Sequence, residues 1–144
     1  MAYSEFTIRV LVAVLAGMAI GFERQWHHKA AGLRTTTLVA LGSAVYVLLS
    51  IIVTQTTGDV TRIIGQVVTG IGFLCAGVVF KDGVSIHGLT TSATIWCSSA
   101  IGCLAAAGYF IETLIATSFI LAVNVGLKTV DVWLTNREKG KEEN

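Results

Sequence analysis

Apolar residues along this chain come in long unbroken runs, separated by short polar stretches. Five runs cover residues 6–22, 36–54, 63–80, 92–108 and 109–127. Each approaches the ~20 residues that a helix rising ~1.5 Å per residue needs to cross a ~30 Å hydrocarbon layer. The expected fold class is therefore all-α, an integral membrane bundle of about five transmembrane helices. Residues 1–127 would form the membrane domain and 128–144 a short tail. Only Gly108 and Tyr109 separate the last two runs, which predicts a tight hairpin, with one merged or partly re-entrant segment as the alternative. Alternating Lys and Glu after Asn136 suit a solvated helix end or a disordered stub.

Composition agrees with a lipid-solvated chain. Of the 144 residues 53% are hydrophobic and 13% charged, about half the charge of a soluble domain. Fifteen glycines and no proline fit helices that approach one another closely. A net charge of +1 gives no electrostatic basis for binding nucleic acid. Cys75, Cys97 and Cys103 all fall in apolar runs and read as small packing residues, not a disulfide framework. Met-Ala-Tyr-Ser-Glu at the start lacks the basic residues of a secretory leader, so the first helix is expected to be kept.

Basic residues set the expected orientation. Arg24, Lys29 and Arg34 in the first loop, Lys81 in the third, and Lys128, Arg137, Lys139 and Lys141 in the tail share one side. Arg62 and Arg9 are left on the other. The richer side should be cytoplasmic, with the N-terminus outside and the C-terminus in.

Shifted by 56 positions, the sequence meets itself at Gly21/Gly77, Gly32/Gly88, Leu33/Leu89, Thr35/Thr91, Ser43/Ser99 and Ala44/Ala100. Two parallel helix hairpins followed by a fifth helix would produce these matches. Chance coincidence among abundant small residues would also produce them, and both readings stand.

Polar groups at membrane depth are expensive and therefore informative. Glu5 and Arg9 suit an i,i+4 pair at the outer interface, and Asp59 suits a helix cap with Arg62 in the following turn. Glu23, Arg24 and Gln25 gather at the cytoplasmic mouth, where Arg34 is placed to pair with Glu23 across the loop. The cluster reads as a positive-inside anchor or as a vestibule that gates or docks a partner. Gln66 and Thr69 on the third helix, and the hydroxyls from Thr90 to Ser99 on the fourth, read chiefly as a packing seam. Gly17, Gly21, Gly70, Gly72 and Gly77 are the expected close-contact positions. His27, His28 and His87 lack metal-ligand spacing, and carboxylates suited to Mg²⁺ are missing from helix interiors apart from Glu112 near one rim. Without a nucleophile elbow, phosphate loop or Cys–His pair, no catalytic residue and no cofactor is assigned, and the chain does not read as an enzyme.

The order of these motifs resembles the MgtC/SapB family. Gly21-Phe22-Glu23-Arg24-Gln25, then Ala31-Gly32-Leu33-Arg34-Thr35 and Leu38-Val39-Ala40-Leu41-Gly42, is similar to its N-terminal signature. Asp59, Arg62 and the segment from Gln66 and Thr69 through Gly77 resemble its third helix, and Gly88-Leu89-Thr90-Thr91 the start of its fourth. Cys75 stands where that family usually has glycine, and Ala30 and Val60 where proline is frequent. The chain stops soon after the fifth helix, nearer the short, SapB-like members than the virulence-associated members with an added cytoplasmic domain. The resemblance implies a bacterial inner-membrane protein tied to growth in low magnesium, virulence, membrane potential, restraint of the ATP synthase and phosphate uptake. It further implies a non-enzymatic regulator, homo-oligomeric, in contact with lipid, other inner-membrane proteins or small membrane peptides. A small ion transporter or channel is the main rival, and a proton-linked acid-stress protein using Glu23 or Glu112 a further one.

Overall fold

A computed structural model describes the backbone of residues 1–54, 59–83 and 85–142, and side chains as far as residue 128. Five helices follow in order: α1 (Tyr3–Trp26), α2 (Leu33–Thr54), α3 (Val60–Val78), α4 (Leu89–Ala107) and α5 (Phe110–Glu142). All five carry windows long and apolar enough to cross a membrane, that of α5 being Phe110–Lys128. The fourth and fifth runs are thus separate helices. Gly108 adopts φ 89°, and the backbone amides of Gly108 and Tyr109 return to the carbonyls of Ala105 and Leu104, which ends α4 within one residue. His28, at φ 53°, closes α1 in the same way with Lys29 bonded back to Arg24. One element was not expected. Phe80–Asp82 (β1) and Ser85–His87 (β2) pair antiparallel as a small hairpin between α3 and α4, with Phe80 opposite His87.

α4 lies at the centre, with 56% of its apolar window buried, and α3 at the edge with 6%. α1 packs on α2 and α4, α3 packs on α4 and α2, and α5 lies against α4 and α1. In lipid the apolar surface of one helix gains little by meeting another, so close approach and hydrogen bonds must hold the bundle. The core fits that demand: Ala13, Ala40, Ala44, Ala105 and Ala106 are fully buried, and all of these but Ala40 pack with Val47 and Leu48. A side chain on Gly102 would run into the Ala40 carbonyl of α2, and one on Gly21 into Thr36 and Leu33. Gly17 sits equally close to Ala40 and Thr37. Gly70, Gly72 and Gly77 differ from the expectation. Within one chain nothing lies within 4 Å of where their side chains would begin, because α3 turns that face outward.

The hairpin match has a spatial counterpart. Ser43 on α2 and Ser99 on α4, 56 residues apart, share a buried hydrogen bond of 2.7 Å. The contact joins two positions that the 56-residue shift matches, one on the second helix of each hairpin. The arrangement predicts that Gly102→Leu, which drives a side chain into the α2 backbone, lowers the thermal midpoint in lipid nanodiscs steeply or prevents folding. Gly72→Ala, facing open space, should shift it by no more than the ~1 kcal/mol gained in helix propensity.

Candidate functional site

The last turn of α1 reaches Trp26, one turn beyond the apolar run, so Glu23 and Arg24 project from helix and not from loop. Arg24 is 2% exposed, and its Nη2 donates to Thr91 Oγ1 at 2.6 Å, in the first turn of α4. Its Nε is buried without a hydrogen-bond partner among the described residues. A cation beside the positive end of a helix is disfavoured, and a compensating negative charge is needed. The adjacent Glu23 supplies it. One Glu23 oxygen takes His27 Nδ1 at 2.9 Å, and the other accepts from Asn124 Nδ2 of α5 at 3.3 Å. Thr94 of α4 donates to Asn124 Oδ1 at 3.4 Å and to the Thr90 carbonyl at 2.9 Å. Glu23, Arg24, Thr91, Thr94 and Asn124 thus join α1, α4 and α5 at one end of the bundle.

At the opposite end Arg9 does the complementary task. Its Nη1 donates to the Ala106 carbonyl at the C-terminal end of α4, and its Nη2 holds Glu5 at 2.5 Å. That carbonyl end is the negative pole of α4, so the cation is favourably placed.

The remaining candidates divide into two groups. Gln25 is exposed and leans over Gly32, where a side chain would collide with it. Arg34 and Thr35 are exposed, and the Glu23–Arg34 pair is not formed. The added turn of α1 aims Glu23 toward α5, while α2 points Arg34 outward. Thr36 is the buried threonine instead, donating to the carbonyls of Gly17 and Gly32. Gly88 precedes α4 at φ 88°, with the Val78 carbonyl where a side chain would be, and Thr90 is exposed. Arg62, Gln66 and Thr69 all lie on the open face of α3, away from the Arg24 cluster, and Thr69 bonds only the Gly65 carbonyl of its own helix. Among the described residues, no three His, Cys, Asp or Glu side chains gather as a metal site. Asn124, Thr94 and His27 escaped the sequence reading as site residues. The available signal was a lone amide inside the apolar run of α5, at the same membrane depth as Glu23.

Bundle and cluster together define a multi-pass α-helical membrane protein with a polar cluster that joins α1, α4 and α5. The MgtC family model matches residues 10–133, and the chain belongs to that family. It is 51% identical over 116 residues to Protein MgtC of Brucella abortus, covering 81% of this chain and 48% of that one. Against Protein MgtC of Salmonella typhimurium the identity is 46% over 123 residues, covering 85% and 52%. The slr0014 protein of Synechocystis is 41% identical over 137 residues, covering 95% and 58%. The chain therefore spans about half the length of these curated relatives. No solved structure matches.

Asp59 caps α3, accepting from the Thr61 hydroxyl at 2.5 Å and the Thr61 amide at 2.9 Å, and these donors hold its carboxyl below the ordinary value. A lowered folded value means the cap's contribution is complete above about pH 4 and fades as pH falls through the folded value. Asp59→Asn, which caps without titrating, should flatten the acid limb of the melting-temperature profile. Arg24→Ala should cost about 3 kcal/mol, since it empties a buried site and strands Thr91 and Glu23. Arg34→Ala, at an exposed site, should fall within about 0.5 kcal/mol of the parent. Thermal melts in nanodiscs compare the two.

Proposed function

We propose that this chain is a non-enzymatic regulator in the bacterial inner membrane, N-terminus outside and C-terminus cytoplasmic. It acts through helix contacts with other membrane proteins or small membrane peptides. The observation that carries the reading is where the polar groups go. Arg24, Glu23, Asn124, Thr91 and Thr94 are spent on one another, as a scaffold requires, whereas a conducting path would need such groups aimed at a water-filled lumen. Family membership supports the setting, magnesium limitation with effects on membrane potential, the ATP synthase or phosphate balance. No cofactor is assigned, and any dependence on Mg²⁺ would act without a site identified in the chain. The excess of Lys and Arg in the first and third loops supports the orientation.

The test pairs two measurements. Affinity capture of the full chain from magnesium-starved native membranes should recover a reproducible membrane-protein partner, and recovery of the chain alone would overturn the reading. Liposomes holding only the purified chain should show no ion flux above the lipid blank under any applied gradient. Sustained flux lost in Arg24→Ala would favour a small transporter instead.

A further inference from the structure

Where the end of α1 meets the start of α4, hydrogen-bond donors outnumber acceptors. Arg24 is 2% exposed, yet of its five guanidinium N–H groups only one, on Nη2, makes a hydrogen bond among the described residues, to Thr91 Oγ1. Its Nε is buried with no partner there. Thr91 is buried as well, and its hydroxyl accepts from Arg24 without donating to any described residue. The hydroxyls of Thr94, Thr113 and Thr117, by contrast, each donate to the carbonyl four residues back. α4 begins after Gly88, which has no capping side chain, and its first backbone bond runs from Ser92 to the Gly88 carbonyl. The amides of Leu89, Thr90 and Thr91 are thus left over among the described residues, as in any opening turn.

The acceptors inside the chain are already committed. Glu23 is the carboxylate beside Arg24, and its two oxygens go to His27 and Asn124. At the same end Lys29, Arg34 and Lys81 outnumber Asp82, and none of these four forms an ion pair among the described residues. A buried guanidinium, an unused hydroxyl and a positive helix pole, brought together without a free acceptor, call for an anion from outside the chain.

We propose that the first turn of α4 binds a phosphate oxyanion, with the Leu89 and Thr90 amides and the Thr91 hydroxyl as its donors. Leu89 and Thr90 are exposed, so the anion arrives from the surface. Arg24 acts from behind Thr91 as a positioning residue. It occupies a lone pair of Oγ1, which turns the hydroxyl proton outward, and its charge draws the anion without being touched by it. A tetrahedral phosphate presents several acceptor oxygens to such a set. Leu89 and Trp26, 60% and 71% exposed, mark the rim of the apolar layer, the depth at which headgroups lie. Phospholipid headgroups of that leaflet and free phosphate in the adjoining water carry the same chemistry. This inference concerns a ligand site and goes beyond the regulatory reading, which assigns none.

The experiment uses the full chain in neutral detergent and follows its melting temperature as phosphatidylglycerol, phosphatidylcholine or inorganic phosphate is added at physiological salt. Phosphatidylglycerol or inorganic phosphate should raise the midpoint saturably. A response to phosphatidylglycerol alone assigns the site to lipid, and a response to inorganic phosphate assigns it to the free anion. Thr90→Asp lays a carboxylate over the open amides, so it should raise the midpoint without ligand and abolish the response, whereas Thr90→Asn should keep it. Thr91→Val, close to threonine in shape, should weaken apparent affinity about tenfold, and Thr91→Ser should restore it to within about twofold. Arg34→Ala, which removes an exposed cation at the same end, should weaken it by less than about twofold. A parent chain that responds to neither anion overturns the proposal. So does a response that survives Thr90→Asp, an equal response to phosphatidylcholine, or a loss in Arg34→Ala as large as in Thr91→Val.

Discussion

How near one backbone can come to another governs this bundle. Lipid solvates apolar side chains as well as a neighbouring helix does, so burial alone gives the helices little reason to associate. What remains is dispersion, which decays within a fraction of an ångström of gap, and hydrogen bonding across the contact. The chain meets that limit by placing glycine and alanine where helices cross. Gly102 leaves room for the Ala40 carbonyl, Gly17 and Gly21 let α2 lie against α1, and alanines fill the space between. With the backbones that close, Ser43 and Ser99 can bond directly.

Two arginines then fix the register of α1 against α4. Arg9 reaches Ala106 at one end and Arg24 reaches Thr91 at the other, and each pair of positions is the same number of residues apart along its helix. The helices run antiparallel, so the two contacts form the rungs of a ladder across most of the membrane. A slide by one turn would break both at once. The ends are not electrostatically equal, however. Arg9 sits at the favourable pole of α4, whereas Arg24 sits at the unfavourable one and relies on the Glu23 carboxylate, itself held by His27 and Asn124. The Arg24 end is therefore the costlier one to build, and a change in the surroundings of Glu23 bears directly on how α5 is held.

α3 is attached differently from the rest. It touches α4 and α2 through Ile71 and Cys75, whose thiol donates to the Ser92 carbonyl at 3.3 Å, and it leaves its glycines and Gln66 uncovered. The same small-residue chemistry that binds the other helices is present on it without a partner inside the chain. A regulator that works through contacts within the bilayer needs such a surface, and a bundle closed on all sides would not supply one.

Much of this was legible in the amino-acid sequence. Runs of ~20 apolar residues specify membrane-spanning helices because lipid leaves a backbone no other way to satisfy itself, and the Gly108–Tyr109 break, the Asp59 cap and the Glu5–Arg9 pair are local in the chain. The motifs from Glu23 to Thr91 pointed to the family for the same reason, being strings of neighbours. Partnership across the bundle was not legible. Arg34 and Arg24 are alike in composition of surroundings, yet one is exposed and the other buried, because helical phase turns them to different faces. Gly102 and Gly72 are both glycines in apolar runs, and only the packing of α2 on α4 makes the first indispensable to close approach. The interval of 56 could be counted in the sequence, but whether Ser43 meets Ser99 depends on two helices separated by a third, a distance in space that no local pattern encodes.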